Sequence, residues 1–361
     1  MGRGDPGPEG MKNKQDQRIM RRILWGIAAV AFIAWALFWP LNSYIESPGT
    51  ADDLKAYVTV KNHPDKAKGS YMITSVYLQQ AHPVTWLWAK LTPYTTIESA
   101  ESVTGGQSNK TYTKVQNFYM QSAINEAIAV AYKAAGKAYT KHYLGIYVLS
   151  VQKNSRFKGK IKVGDTITAV NGRHFSSAAG YQKYIASQKV GRKLTVTYLH
   201  NGKKKQATEK LVKLSTTGKA GIGIVLTDNV KVTTKTKVKI DPGQIGGPSG
   251  GLMFALQVYQ QISGKDLRHG RKIAGTGTIN AKGQVGEIGG IDKKVVAAHK
   301  AGATIFFAPY VKPTKTLLKY EEQHKTNYQL AKETAKKVAP GMKVVPVRTF
   351  SDAVKYLETH K

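Results

Sequence analysis

The residues best suited to chemistry in this chain are a serine in a glycine-rich turn and a lysine on a predicted helix. Ser249 lies in the run GGPSGG, directly before an apolar stretch that predicts a helix. Small residues let a substrate backbone approach closely, and N–H groups at a helix start can stabilise a developing negative charge. Lys294 shares the apolar side of a later helix with Ile291 and Ala298, whereas Lys293 is rotated away by about 100°.

An amine on an apolar face can serve as a general base. Burial disfavours charged lysine and should lower the pKa of Lys294, and a neutral amine can accept a proton from a serine hydroxyl. For Lys294 taken alone, the alternative is a structural helix whose lysine extends to water. Together with Ser249 it is interpreted as a Ser-Lys dyad, and the backbone at Gly247, Pro248 and Gly250 is the candidate oxyanion site.

Other catalytic classes have weaker support in the sequence. The serine turn also matches the G-x-S-x-G elbow of α/β-hydrolases, but the preceding DPGQI is a poor strand and no histidine has a suitable setting. An H-E-x-x-H motif is missing, so no metal is predicted. The run GGQSNKT imitates a P-loop but has Asn109 at the second glycine position. We therefore expect no cofactor and no ATP use.

Composition restricts the cysteine chemistry and the binding partners of the chain. The 361 residues include no cysteine, which excludes disulfides and thiolate metal sites. The net charge of +33 could attract nucleic acid, but the lysines are scattered and form no basic arm. Attraction to an anionic membrane or envelope polymer explains the charge as well, so we expect no nucleic-acid partner.

The N-terminal region predicts a membrane anchor. Residues 1–17 are expected to be a disordered cytoplasmic tail, and residues 18–41 a transmembrane helix whose stretch 23–41 has no charge. The preceding Arg18, Arg21 and Arg22 place the N-terminus in the cytoplasm and everything after the helix outside it, in a single-pass protein of the cell membrane. A cleaved signal peptide is the alternative.

Residues 42–138 predict an extracytoplasmic α/β segment, with strands up to about residue 115 and a helix over 120–136. Residues 139–215 resemble a PDZ domain, chiefly in the run KVGDTITAVNG. The resemblance implies that an extended peptide adds to the strand containing Leu144, Gly145, Ile146 and Tyr147. This strand lacks the usual pair of consecutive glycines. A PDZ domain that only packs against the rest of the chain is the alternative.

Residues 216–361 resemble the Lon-type proteolytic domain in the motifs GPSGG, GTGTI and GQVGEIGGI, followed by the lysine. This implies that Ser249 is the nucleophile, Lys294 the general base, and Thr276 an orienting residue for the amine. Gly246 and Gly250 depart from the acidic residue and the alanine usual in that family. The helix over 120–136 resembles one that precedes the serine motif, so the PDZ segment would be inserted into this domain.

As a whole the chain resembles the Lon-like, PDZ-containing, membrane-anchored serine peptidases of Gram-positive bacteria. The resemblance implies an α/β (α+β) proteolytic domain, a mainly β PDZ domain and one N-terminal transmembrane helix. It also implies an ATP-independent endopeptidase that cleaves peptides or small envelope and secreted proteins, and it is compatible with a homo-oligomer. The alternative is a catalytically silent, membrane-tethered PDZ scaffold that binds peptide tails.

Overall fold

The computed structural model describes the backbone of residues 8–360 and the side chains of residues 17–360. Its α-helices are α1 (Pro8–Phe38), α2 (Pro83–Leu91), α3 (Ala100–Thr104), α4 (Asn109–Ala134), α5 (Ala178–Ala186), α6 (Gly251–Ser263), α7 (Ile291–Lys300), α8 (Lys315–Leu318), α9 (Asn327–Val338) and α10 (Phe350–Thr359). Short 3-10 turns occupy Leu54–Ala56 and Glu322–His324.

The strands follow the same chain order. They are β1 (Ser43–Asp53), β2 (Val58–Val60), β3 (Ser70–Gln80), β4 (Thr96–Ser99), β5 (Tyr139–Val151), β6 (Thr166–Val170), β7 (Lys193–His200), β8 (Lys203–Lys210), β9 (Val212–Lys213), β10 (Ala220–Gly221), β11 (Ile224–Thr234), β12 (Val238–Ile240), β13 (Lys272–Gly275), β14 (Thr278–Ile279), β15 (Val285–Gly286), β16 (Ile305–Pro309) and β17 (Lys343–Val347).

Among the described residues, the first compact unit comprises residues 8–47 and 77–106. The start of β1 pairs antiparallel with β4, and Ile45, Ala81 and Ala89 form a small core. Helix α1 begins at Pro8, within the segment predicted to be disordered, while residues 1–7 lie outside the described part. Its portion Gln17–Phe38 is long and apolar enough to cross a membrane, judged by length and composition.

The second unit, residues 48–76 and 107–360, contains a sheet with the strand order β17-β16-β13-β3-β1. Strands β3, β13, β16 and β17 are mutually parallel. Neighbouring residues of β16 face opposite sides: Phe307 packs in a core with α6 and α4, whereas Phe306 packs in a core with α7 and α9. Two buried faces are typical of a parallel sheet covered by helices, and this makes a three-layer α/β arrangement.

A second sheet in the same unit has the order β11-β5-β6-β7-β8 and is antiparallel throughout. Its inner face packs on α5 through a core that includes Ile146, Ile167, Tyr181 and Ile185. The strands predicted between residues 42 and 115 are present as β1–β4. The helices α2 and α3 lie in the same stretch and were not predicted.

Candidate active site

The serine turn is held tightly against its surroundings. Gly247 adopts a φ of 82°, a left-handed value that favours glycine, and its N–H donates to the Gln116 carbonyl oxygen at 3.0 Å. A Cβ atom added to Gly250 would lie 2.5 Å from the Ile73 Cδ1 atom. Glycine at this position therefore has a steric cause, since Ile73 fills the space that an alanine methyl would need. The turn presents Ser249 at the start of α6.

The structure brings the three predicted side chains together. The Lys294 amine donates to the Ser249 hydroxyl oxygen at 3.0 Å and to the Thr276 hydroxyl oxygen at 3.4 Å. Thr276 follows the parallel strand β13, and Lys294 lies in the first turns of α7. Their relative exposures are 1% and 4%, so the amine is held away from bulk water.

Thr276 also fixes the backbone of the serine. Its hydroxyl donates to the Ser249 carbonyl oxygen at 3.1 Å, and the Gly277 N–H donates to the same oxygen at 2.7 Å. A threonine hydroxyl has one proton, so its oxygen remains an acceptor for the Lys294 amine. Thr276 therefore contacts both members of the predicted dyad.

The predicted oxyanion residues need a correction. The Gly247 N–H is used by the Gln116 carbonyl, and Pro248 has no backbone N–H at all. Of the three predicted residues, Gly250 is the one left with a donor for this role. The N–H of Ser249 lies beside it at the start of α6, where helix geometry favours negative charge.

The neighbouring Lys293 has a role that the sequence did not indicate. It is fully buried, and its amine contacts Asp292 at 3.1 Å and Glu322 at 3.2 Å. Helical spacing places it about 100° around α7 from Lys294. The ion pair with Glu322 connects the start of α7, which carries Lys294, to the turn at Glu322–His324.

Glu287 lies between β15 and α7, the helix that carries Lys294. Burial, opposed by a hydrogen bond from the Asn327 N–H at 2.7 Å and reinforced by the charge of Glu321, raises the pKa of Glu287 to about 7. Within residues 17–360, no group of three or more His, Cys, Asp or Glu side chains could hold a metal ion.

The strand predicted to bind peptides is not an edge strand. At Ile146 and Tyr147, β5 pairs with β6 on one side and with β11 on the other. Gly145 has a φ of 130°, and a Cβ there would lie 2.3 Å from the Ile167 carbonyl oxygen, so this glycine permits close strand packing. Leu144 is skipped in the pairing with β11 at a bulge. A strand with both neighbours in place cannot accept a peptide, so this prediction is wrong.

Within the described chain, the edge strand next to α5 is β11. The Asp228 carboxylate on β11 accepts the Ala178 N–H at the start of α5, at 2.6 Å. The run Gly221-Ile222-Gly223-Ile224 leads into this strand, and Gly223 has a φ of 67°. A G-I-G-I run before an alternating strand was the available signal, and sequence reasoning missed it.

Comparisons with known proteins find two families in this chain. Residues 112–211 match the PDZ domain family, and residues 227–355 match the Lon protease (S16) C-terminal proteolytic domain. The Lon protease of Desulforamulus reducens is 41% identical over 63 residues, covering 18% of this chain and 8% of that protein. The Lon protease of Campylobacter jejuni is 30% identical over 111 residues, covering 30% of this chain and 12% of that protein. The chain thus spans only a small part of these relatives.

A solved PDZ domain from the SdrC-like protein of Listeria innocua is 38% identical and covers 23% of this chain and 92% of that chain, with a TM-score of 0.22. The two family matches define the class: the chain joins a PDZ domain to a proteolytic domain of the Lon type. The resemblance that its motifs predicted, to Lon-like peptidases that contain a PDZ domain, is confirmed by these two domain matches. The predicted fold class is confirmed, with mixed α/β and mainly β parts and one apolar helix near the N-terminus.

Proposed function

We propose that this chain is an ATP-independent, membrane-anchored endopeptidase that acts outside the cytoplasm through a Ser249–Lys294 dyad. The observation that carries the proposal is the 3.0 Å hydrogen bond between the two side chains inside a Lon-type domain. A serine hydroxyl is a weak nucleophile without a base, and a hydrogen-bonded neutral amine supplies one.

The reaction proceeds through an acyl-enzyme. Lys294 takes the proton of Ser249 as its oxygen attacks the peptide carbonyl carbon, and the oxyanion is held by the N–H groups of Ser249 and Gly250. The lysine ammonium then protonates the leaving amine as the peptide bond breaks. Neutral Lys294 then takes a proton from water as the water oxygen attacks the ester carbon, and the lysine ammonium returns that proton to the Ser249 oxygen as the ester bond breaks. Burial of Lys294 favours the neutral amine with which the cycle starts.

Membrane anchoring is supported by the apolar portion of α1 and by the flanking arginines. Arg18, Arg21 and Arg22 precede the uncharged stretch, and positively charged flanks remain on the cytoplasmic side. The single-pass topology then puts both sheets outside the cytoplasm. ATP independence is supported by the hydrogen bond between Ser249 and Lys294, which is formed within the Lon-type domain itself.

The PDZ domain is proposed to bind an extended segment of a substrate or regulator. The edge of β11 offers unpaired backbone groups next to α5, and β-augmentation needs such an edge. Ile224 and Leu226 pack against the core below it, and Val225 is 46% exposed. The peptide is therefore expected on β11 and not on the strand that contains Leu144.

Cleavage by single-residue variants tests the dyad. The full chain, held in lipid nanodiscs, is mixed with unstructured peptides without ATP, and the products are identified by mass spectrometry. Ser249→Ala and Lys294→Ala should each lower the rate by about three orders of magnitude or more. Lys300→Ala, on the exposed end of the same helix, is the matched control and should cleave normally.

Cleavage by Ser249→Ala or Lys294→Ala at the wild-type rate would contradict the dyad. A requirement for added ATP would contradict the ATP-independent mechanism.

The inactive Ser249→Ala chain also reports on peptide binding. Hydrogen exchange should slow at the backbone of β11 when a bound peptide is present, whereas protection confined to the other edge strand, β8, would exclude the proposed edge.

A further inference from the structure

Helix α2 exposes an apolar stripe within the first unit. Its side chains Val84, Leu87, Trp88 and Leu91 are 46%, 59%, 53% and 80% exposed. They follow the i, i+3, i+4, i+7 spacing that brings residues to one face of a helix. Such a stripe normally faces a protein core, and large contiguous apolar patches on a surface indicate a binding partner.

The opposite face of α2 already has its partner. Ala89 is buried, and Trp86 packs against a cluster that includes Ile45 and Ala81. The exposed stripe is therefore additional to the packing that holds α2 in the unit. The polar side chains of this helix are Thr85 and Lys90, so α2 is apolar on nearly all sides. A helix of this kind is rarely left in water.

Hydrogen bonds connect the start of α2 to the chain just beyond the end of α1. The His82 ring donates from Nδ1 to the Trp39 carbonyl oxygen at 3.1 Å. The Leu41 N–H donates to the Ala81 carbonyl oxygen at 2.8 Å. Trp39 itself is 59% exposed, at the position where aromatic residues mark a membrane interface. The apolar stripe therefore begins where the proposed anchor leaves the bilayer.

We propose that the exposed stripe of α2 inserts into the interfacial layer of the membrane that α1 crosses. This inference rests on the proposed membrane anchoring. Leucine and tryptophan side chains suit the boundary between headgroups and acyl chains, where an interfacial helix is buried by about 5–10 Å. The Lys90 amine lies 3.8 Å from the centre of the Trp86 ring and adds a cation for anionic headgroups.

We expect lipid, and not another protein, to cover the exposed stripe of α2, because the stripe continues from the anchor. A membrane around α1 necessarily ends near Trp39, and the hydrogen bonds from His82 and Leu41 keep α2 at that level. A second copy of the chain would need a complementary apolar face of its own, whereas the bilayer surface is already beside this one. The first unit is thus attached to the membrane by a spanning helix and by an interfacial helix.

The chain has no cysteine, so single labels can be placed without removing any. Three full-length variants are reconstituted into vesicles of phosphatidylcholine and phosphatidylglycerol: Leu87→Cys on the stripe, Glu101→Cys on the exposed start of α3, and Val30→Cys within α1. Each carries an environment-sensitive fluorophore. Quenching is measured with nitroxide-bearing lipids and with iodide in the water.

The label at residue 87 should be quenched by the nitroxide lipids, and iodide should quench it several-fold less than the label at residue 101. Iodide access equal to that at residue 101, with the residue 30 label still quenched by lipid, would overturn the inference and leave the anchor intact. Protection from both quenchers at residue 87 would overturn it in favour of a protein partner. If the label at residue 30 is not quenched by lipid, the anchor and the inference both fail.

Discussion

Replacing Thr276 with valine should slow catalysis without preventing folding. Valine has nearly the same shape, and Thr276 is buried, so the substitution removes the hydroxyl with little change in volume. Two hydrogen bonds disappear: the 3.1 Å bond to the Ser249 carbonyl and the 3.4 Å bond from the Lys294 amine. We propose that these bonds position the dyad, so their loss should affect the chemical step.

The expected fall in kcat follows from the hydrogen bonds that are lost and from those that remain. The Ser249 carbonyl keeps its 2.7 Å bond from the Gly277 N–H, and the Lys294 amine keeps its 3.0 Å bond to the serine. No buried group at the serine backbone is therefore left without a partner. Each lost bond is worth about 0.5–1.5 kcal/mol, which gives about 1–3 kcal/mol together. This corresponds to a fall in kcat of about 5- to 150-fold, far less than the loss expected for Ser249→Ala.

The assay is steady-state cleavage of a peptide that the wild-type chain cuts, with kcat and KM determined separately. A positioning residue should lower kcat and leave KM nearly unchanged. The matched control is Thr276→Ser, which keeps the hydroxyl and loses only the methyl group, and it should retain most of kcat. Wild-type kcat in Thr276→Val would refute the reasoning. Equal impairment in both variants would assign the effect to packing of the methyl group instead.

Two further predictions concern stability. Gly250→Ala should lower the free energy of unfolding in urea by about 1–3 kcal/mol, because the new Cβ atom meets the Ile73 Cδ1 atom. Ile73→Val removes that atom, so Gly250→Ala should cost less when residue 73 is valine. An equal cost with isoleucine and with valine at residue 73 would contradict the contact. The pKa of Glu287 is about 7 in the folded chain, compared with an ordinary value of 4.5. As the pH rises from 4.5 to 7, Glu287 loses its proton in the unfolded chain before it does so in the folded chain, and the free energy of unfolding therefore falls over that range. Glu287→Gln removes this contribution, so its Tm relative to wild type should increase over that range, and a constant difference would contradict the assignment.

The candidate catalytic residues could be selected from the sequence because their signals are local. A glycine-rich turn before an apolar helix and a lysine on an apolar helix face are each visible within a few residues. Burial of Lys293 was not visible in this way. Its partner Glu322 lies in a separate turn, and no pattern around Lys293 indicates that the chain brings a carboxylate there. The steric reason for Gly250 likewise depends on Ile73, from a distant strand.

The error in the PDZ domain has the same physical origin. The residues around Gly145 form a strand, as predicted, but whether a strand is an edge depends on which segments pair with it. Here β11 returns from more than seventy residues along the chain to cover β5 over its whole length. Non-local pairing of this kind leaves no periodic signal in β5 itself. The glycine run before β11 was a local signal for the actual edge.

Helix α4 contacts both strand β11 and the serine turn. The Val232 N–H on β11 donates to the Asn125 side-chain oxygen of α4 at 2.7 Å. Further towards the start of the same helix, the Gln116 carbonyl accepts the Gly247 N–H of the serine turn at 3.0 Å. Helix α4 is also packed along α6, with Ile124 and other buried residues in the common core. We infer that α4 sets the spacing between the proposed peptide-binding edge and the nucleophile, so a substrate held on β11 must reach Ser249 through a segment of defined minimum length.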